Sequence, residues 1–170
     1  MTVLKILGVF LILVAVAFIG YRFIPTKEVV VANGFASNRG LKLRSDVEVE
    51  QVLPKNDVEL QEIQIKFGTY SAHKKNEGGV LTVSFLEDDA VVQQWFLPVE
   101  KLVDNAYQPF TLEQAKKLNP NNKYTIKISY HYTDDNFIAL WTNDDAAHGS
   151  FKNGKQVLEG SVCYKLVYVK

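Results

Sequence analysis

Three histidines are the side chains of this sequence best suited to catalysis or zinc binding: His73, His131 and His148. They lie far apart, with no His-x-His or His-x-x-x-His spacing, and the single cysteine cannot complete a zinc site. A serine stands two residues before His73, but there is no Gly-x-Ser-x-Gly motif, and a nucleophile and base so close in sequence are rarely oriented for proton transfer. We therefore predict that the protein is not an enzyme.

Aromatic side chains beside polar ones indicate a different chemistry, which is sugar binding. A pyranose ring stacks its C–H face on a flat side chain while neighbouring polar groups bind its hydroxyls. Most aromatic residues fall at alternating strand positions, so we expect the following in the core: Phe67, Phe85, Tyr124, Tyr164 and Trp141. Others stand at strand ends or in loops beside amide, imidazole or charged groups. From these we predict the ligand-binding residues Tyr70, His73, Asn76, Trp95 and Tyr132.

Turns rich in Asp and Asn offer the oxygen ligands that Ca²⁺ prefers. Of the turns at 87–89, 134–136 and 143–145, the last directly follows an apolar strand and precedes a glycine-containing loop. We predict Asn143, Asp144 and Asp145 as ligands of a structural calcium ion, and no other cofactor. The alternative is that they stabilise the turn itself, because Asx side chains bond to nearby backbone groups.

The N-terminal segment is the longest apolar stretch. Residues 3–19 contain one charge, Lys5, and a helix continuing to residue 24 is long enough to cross a hydrocarbon core of about 30 Å. We predict a transmembrane signal anchor at 1–24, a linker at 25–33 beginning with a helix-ending proline, and one domain at 34–170. The alternative is a signal peptide cleaved after the small residues 15–17. The basic residues on either side of the span do not decide its orientation.

The rest of the sequence is typical of an all-β domain. Apolar and polar residues alternate at 47–51, 63–67, 81–85, 124–130 and 162–168, and 137–141 is a shorter apolar run. Asx- and glycine-rich turns separate these stretches, which predicts an antiparallel β-sandwich with a single short helix at 111–118. The alternation places four side chains in the core: Ile65, Phe67, Val83 and Ile126.

Charge and cysteine content narrow the range of partners. Nineteen basic and 19 acidic residues leave no net charge, so we do not expect nucleic acid as a partner. Cys163 lies in a strand-like run and is expected to be a buried small apolar residue. A single buried cysteine does not indicate whether the domain lies in an oxidising or a reducing compartment.

The order of five short motifs resembles a known module. These are IQIKFGTY at 63–70, NEGGVLTV at 76–83, LVDN at 102–105, KYTI at 123–126 and IALW at 138–141. Together they resemble a bacterial β-sandwich module that is attached to membrane proteins of surface-polysaccharide assembly and is similar to jelly-roll carbohydrate-binding modules. The resemblance runs from about residue 41 to 170 and implies a jelly-roll-like fold without catalytic residues. This chain has one anchor and no polytopic catalytic portion, which favours an accessory subunit.

These observations predict a single-pass protein of the bacterial cell envelope. The β-sandwich would lie outside the cytoplasm, in the periplasm or at the outer surface, and bind a glycan or an integral-membrane partner protein. The alternative is a structural scaffold subunit of a membrane complex that has no small-molecule ligand. The first hypothesis requires exposed aromatic rings on one sheet or loop rim, and the second requires an exposed apolar patch without a pocket.

Overall fold

The computed structural model describes residues 27–30, 37, 39–45, 47–54, 57, 59–70, 78–132 and 137–169. The predicted anchor at 1–24 lies outside these residues. Within them, no helix is both long enough and apolar enough to cross a bilayer. The N-terminal transmembrane helix therefore stays a prediction from the sequence.

The described residues are mostly β-strand. They contain thirteen strands in chain order: β1 Lys27–Val30, β2 Arg39–Leu43, β3 Glu48–Val52, β4 Glu59–Gly68, β5 Val80–Glu87, β6 Ala90–Pro98, β7 Ala106–Lys117, β8 Tyr124–His131, β9 Ile138–Asn143, β10 Ser150–Asn153, β11 Gln156–Glu159, β12 Ser161–Val162 and β13 Tyr164–Val169. The helical content of this part of the chain is two short 3-10 turns, Val99–Lys101 and Ala146–His148.

The strands form two antiparallel sheets. The seven-stranded sheet has the order β1-β13-β4-β9-β12, with β2 added beside β9 and β7 beside β4. The six-stranded sheet has the order β11-β10-β3-β8-β5-β6. Side chains from both sheets meet in one apolar core, as the predicted β-sandwich requires.

The predicted strand alternation is confirmed in the core. Ile65 and Phe67 of the seven-stranded sheet and Val83 and Ile126 of the six-stranded sheet all have 0% of their surface exposed. Cys163 is also buried, and burial raises the pKa of its thiol to about 11. The predicted core aromatics are buried as expected at Phe67, Phe85, Tyr124 and Tyr164.

The predicted helix at 111–118 is wrong, because this segment belongs to strand β7, Ala106–Lys117. The β7 strand pairs with β4 from Glu59↔Lys117 to Phe67↔Ala106 and buries Phe110 and Leu112 on alternate positions. Pairing along the whole of β4 outweighs the local cap-like sequence that suggested a helix. The strand β1 falls within the range predicted as a linker, where it pairs with β13.

A polar network closes one end of the sandwich around Glu87. Its carboxylate accepts hydrogen bonds from Tyr124 Oη at 2.7 Å and Asn122 Nδ2 at 2.8 Å, and it forms an ion pair with Lys116 Nζ at 2.7 Å. The Lys116 ammonium, followed by Tyr124 and Asn122, lowers the pKa of Glu87 from 4.5 to about 2.

This network predicts acid sensitivity of the fold. Glu87 binds its proton less tightly in the folded state than in the unfolded chain. The contribution of ionised Glu87 to the free energy of unfolding is therefore complete above a pH of 4.5 and is lost as the pH falls towards 2. Glu87→Gln should lower the free energy of unfolding at neutral pH by about 1–2 kcal/mol. The melting temperature of this variant should also fall less steeply than that of the unchanged protein as the pH is lowered from 4.5 towards 2. Glu100→Gln is the control, since Glu100 is exposed and forms no ion pair within the described residues. An equal effect of both changes would remove the network as the cause.

Candidate functional site

Three aromatic rings lie together on the outer face of the seven-stranded sheet. Tyr70 follows the end of β4, Phe137 precedes β9, and Trp141 lies within β9. The Tyr70 ring centroid is 6.4 Å from that of Phe137 and 6.4 Å from that of Trp141. The Tyr70 side chain is 57% exposed. We refer to Tyr70, Phe137 and Trp141 as the aromatic platform.

Two glycines make room for the rings. A Cβ atom on Gly68 would lie 2.9 Å from Trp141 Nε1, and one on Gly40 would lie 3.0 Å from the Tyr70 hydroxyl. Gly68 belongs to β4 and Gly40 to β2, and these two strands lie on either side of β9. Tyr70 thus reaches across β9 towards β2, and both rings lie close to the sheet surface because the strands beside them have no side chains there.

The backbone of Tyr70 is held in an uncommon conformation. Its φ of 48° lies in the left-handed region, which is costly for an aromatic residue. An Asp104 oxygen accepts hydrogen bonds from Thr69 N at 2.6 Å and from Tyr70 N at 3.2 Å. The bond from Thr69, with that from Tyr70, lowers the pKa of Asp104, so its carboxylate is charged at neutral pH. The side chain of Asp104 therefore stabilises the turn that contains Tyr70.

Three lysines lie over aromatic rings on this same face. Lys42 Nζ is 4.6 Å from the Phe137 ring centroid, and Lys66 Nζ is 5.4 Å from that of Trp141. Lys165 Nζ is 4.1 Å from the ring of Tyr107 on β7. Lysine contacts of this kind are seen nowhere else in the described part of the chain. The face therefore combines flat rings with cationic hydrogen-bond donors.

Trp141 lies outside the core, where it was not expected, whereas Tyr70 lies where the sequence predicted. Trp141 was expected in the core, but it is only partly buried and lies on the outer face, because Ile138 and Leu140 occupy the inward positions of β9. Tyr70 stands exposed at a strand end, as the sequence indicated. The predicted binding residues His73 and Asn76 lie outside the described residues, in the segment that directly follows Tyr70.

The other two predicted binding residues have internal partners. Trp95 packs against Phe110 with ring centroids 5.7 Å apart, and its Nε1 donates a hydrogen bond to the Thr111 carbonyl at 3.0 Å. Tyr132 stacks on Tyr130 with a centroid distance of 6.4 Å, and its backbone N–H donates to Ser45 Oγ at 3.0 Å. Both rings lie against the core, and neither joins the aromatic platform.

The predicted calcium ligands take part in a turn. Asn143 Oδ1 accepts a hydrogen bond from Asp145 N at 2.8 Å, and Asp145 Oδ1 accepts one from Ala147 N at 3.0 Å at the start of a 3-10 turn. These bonds are the turn-stabilising alternative that the sequence also suggested. Throughout the described residues, no three His, Cys, Asp or Glu side chains converge in a way that could hold a metal ion.

Two clefts lined by described residues contain no set of catalytic side chains. One, of about 350 Å³, is lined by Asp57, Lys117, Leu118, Asn119 and Pro120. Another, of about 340 Å³, includes His148, Gln51 and Tyr164 among its lining residues. The Gln51 oxygen in this second cleft already accepts hydrogen bonds from Ser161 Oγ and Val162 N. Neither cleft brings a nucleophile together with a base and an orienting group.

No protein-family model and no curated protein sequence matches this chain. The aromatic platform and its lysines are therefore the main observations that bear on function.

Proposed function

We propose that this protein is a non-catalytic, membrane-anchored β-sandwich that binds a glycan outside the cytoplasm, as an accessory subunit in envelope polysaccharide assembly. The aromatic platform is the observation on which the proposal rests. Tyr70, which is 57% exposed and whose ring is tilted by 59° to that of Phe137 and by 45° to that of Trp141, offers an accessible aromatic face of the kind on which pyranose rings stack. The resemblance of the sequence to modules of surface-polysaccharide assembly supports the same assignment.

The conformation of Tyr70 supports a binding role. A left-handed backbone costs about 1–3 kcal/mol at a residue that is not glycine. The Asp104 carboxylate stabilises this turn by accepting a backbone hydrogen bond from Thr69. Burial of the side chain does not offset this cost, because Tyr70 is 57% exposed. Residues held in strained backbone conformations are concentrated at active sites and ligand-binding sites.

The position of the platform fits an anchored protein. The chain enters the sheet at β1, whose first residue pairs with Val169 of β13, and Val169 in turn pairs with Glu59 at the start of β4. Tyr70 follows the opposite end of β4, a strand of 10 residues, or about 33 Å. An anchor before β1 would therefore leave the platform directed away from the bilayer, towards extracytoplasmic glycans.

Tyr70→Ala tests the proposal. Loss of the stacking surface should weaken binding to a retained glycan about fivefold, corresponding to about 1 kcal/mol, while the melting temperature changes little because the ring is largely exposed. The measurement is a glycan array probed with the full chain in an uncharged detergent, beside thermal unfolding of the same samples. Phe96→Ala is the matched control, since Phe96 is 66% exposed but belongs to the six-stranded sheet.

Two results would contradict the proposal. One is unchanged glycan retention with a large loss of thermal stability, which would make Tyr70 a packing residue. The other is an equal loss of retention in the Phe96→Ala control, which would mean that the platform is not the binding surface.

The exposed side of β6 favours a scaffold subunit as the second candidate. Phe96, Val91 and Val92 are 66%, 59% and 40% exposed on this strand. Apolar side chains grouped on one strand are typical of a surface that binds another protein. In this case Phe96→Ala would weaken recovery of the protein with its membrane complex, and Tyr70→Ala would have no effect on it.

A further inference from the structure

Three lysines on the outer face of the seven-stranded sheet differ in their partners from two lysines on the outer face of the six-stranded sheet. On the outer face of the six-stranded sheet, Lys127 pairs with Glu48 and Glu50 at 3.1 and 3.0 Å, and Lys152 pairs with Glu50 at 3.2 Å. By contrast, Lys42, Lys66 and Lys165 pair with no carboxylate of the described residues and lie instead over aromatic rings. The lysines beside the aromatic platform therefore keep their charge available for a ligand.

Asp104 and Glu62, two acidic residues of the described part of the chain, accept hydrogen bonds from neutral donors. Asp104 accepts its hydrogen bonds from the backbone of Thr69 and Tyr70. Glu62, on the outward side of β4, accepts hydrogen bonds from Thr111 Oγ1 at 2.9 Å and from Gln64 Nε2 at 2.7 Å. Among the described residues, the three lysines of this face thus form no ion pair with either acid, so each can pair with an anionic group of a ligand, although the whole chain has no net charge.

We propose that the platform selects saccharides that have a negatively charged substituent, a carboxylate or a phosphate. This inference rests on the proposed glycan-binding function and specifies its ligand class. A sugar ring stacked on Tyr70 or Trp141 would place its substituents at the edge of the ring. Lys66 Nζ lies over the Trp141 ring, 5.4 Å from its centroid, and donates a hydrogen bond to Ser37 Oγ at 3.0 Å, so its charge is held close to where such a substituent would lie. Lys42 Nζ lies over the Phe137 ring, 4.6 Å from its centroid.

An anionic lipid surface has the same charge but does not fit the position of the site. Lysines and aromatic rings together also favour membrane interfaces. The platform, however, lies at the end of β4 opposite to the point where the chain enters the sheet, about 33 Å away by the length of that strand. The occupant that we infer is therefore a saccharide.

Matched pairs of ligands test this inference on the full chain in an uncharged detergent. The first pair is a short oligogalacturonate and the same oligomer as its methyl ester, which removes the carboxylate charge but keeps the sugar ring. The second is a phosphate-substituted mannan and the same mannan after phosphatase treatment. The two pairs separate carboxylate from phosphate recognition. Vesicles of phosphatidylglycerol serve as the lipid probe.

The expected result is tighter binding of the charged member of at least one pair, by about fivefold or more. This preference should shrink as salt is raised from about 0.05 M to about 0.5 M. Lys66→Gln and Lys42→Gln should each reduce it about threefold to fivefold and leave the neutral member unaffected. Lys155→Gln, in the exposed turn between β10 and β11, changes the net charge equally and should have no effect.

The outcomes distinguish this inference from the function on which it rests. Equal binding of charged and neutral members, both weakened by Tyr70→Ala, would overturn the charge selectivity and leave glycan binding intact. Binding of no saccharide in the test would overturn both. Binding to phosphatidylglycerol vesicles alone would replace the saccharide with a lipid surface and overturn the inference.

Discussion

Replacing Phe67 with alanine is expected to lower the free energy of unfolding by about 3–5 kcal/mol. Phe67 has 0% of its surface exposed, packs edge-on against Phe110 at a centroid distance of 6.5 Å, and lies opposite Leu140 and Ala106 on the neighbouring strands. Truncation removes the transfer free energy of the ring and leaves a cavity that strands fixed on both sides of β4 cannot fill by moving. Denaturant unfolding of the full chain, followed by far-UV circular dichroism, measures the change.

Phe96→Ala is the control for this experiment as well. It removes the same number of atoms from a side chain that is 66% exposed, so we expect a change under about 1 kcal/mol. A difference between the two variants of less than about 1 kcal/mol would mean that Phe67 does not face the core. Because a shift of one residue in register turns every side chain of a strand to the other face, that result would also remove the basis for the platform.

Gly160→Ala is expected to destabilise the fold by a comparable amount, through the backbone. A Cβ atom on Gly160 would lie 1.9 Å from the Asn143 carbonyl oxygen and 2.7 Å from Asp144 Cα, so the main chain of one segment would have to move. This residue precedes β12, whose Ser161 pairs with Asn143 of β9. The φ of Gly160, 95°, adds a conformational cost for any other residue.

Gly149→Ala separates these two causes. Gly149 has a φ of 94°, but a Cβ atom there would meet nothing within 4 Å. We expect about 1–3 kcal/mol of destabilisation at Gly149 from backbone conformation alone. At Gly160 we expect about 2 kcal/mol more, from the clash with residues 143 and 144. Equal losses in the two variants, measured by the same unfolding experiment, would show that the close approach of the backbones is not a constraint.

The strand alternation was sufficient to predict the inward side of several strands. Side chains two residues apart share a face, so Ile65 and Phe67, or Tyr124 and Ile126, had to be buried together once either was. Turn chemistry was predictable for a similarly local reason. Asp88 and Asp89 join β5 to β6 with φ values of 47° and 68°, which Asx residues tolerate better than most. These features depend on residues that are neighbours in sequence.

The segment at 111–118 shows where local information is insufficient. Its composition and cap-like residues favour a helix when it is considered alone, yet it forms the edge strand β7 beside β4. The edge strands β2 and β6 were not predicted either, since exposed positions such as those of Val91, Val92 and Phe96 interrupt the expected alternation of apolar and polar residues. An edge strand is specified by its partner strand as much as by its own residues.

The sequence by itself determined an all-β domain, most of its inward-facing residues and an exposed Tyr70 at a strand end. Only the tertiary structure decided that Trp141 points outward and joins Tyr70, because that depends on which side of β9 the six-stranded sheet covers. It also brought Gly40, Gly68 and Lys66 to the same rings, although they come from β2 and β4 and are distant in sequence from Trp141. The pairing of strands creates this surface. The energy of that pairing depends on both partner strands together, so the sequence of one strand does not determine it.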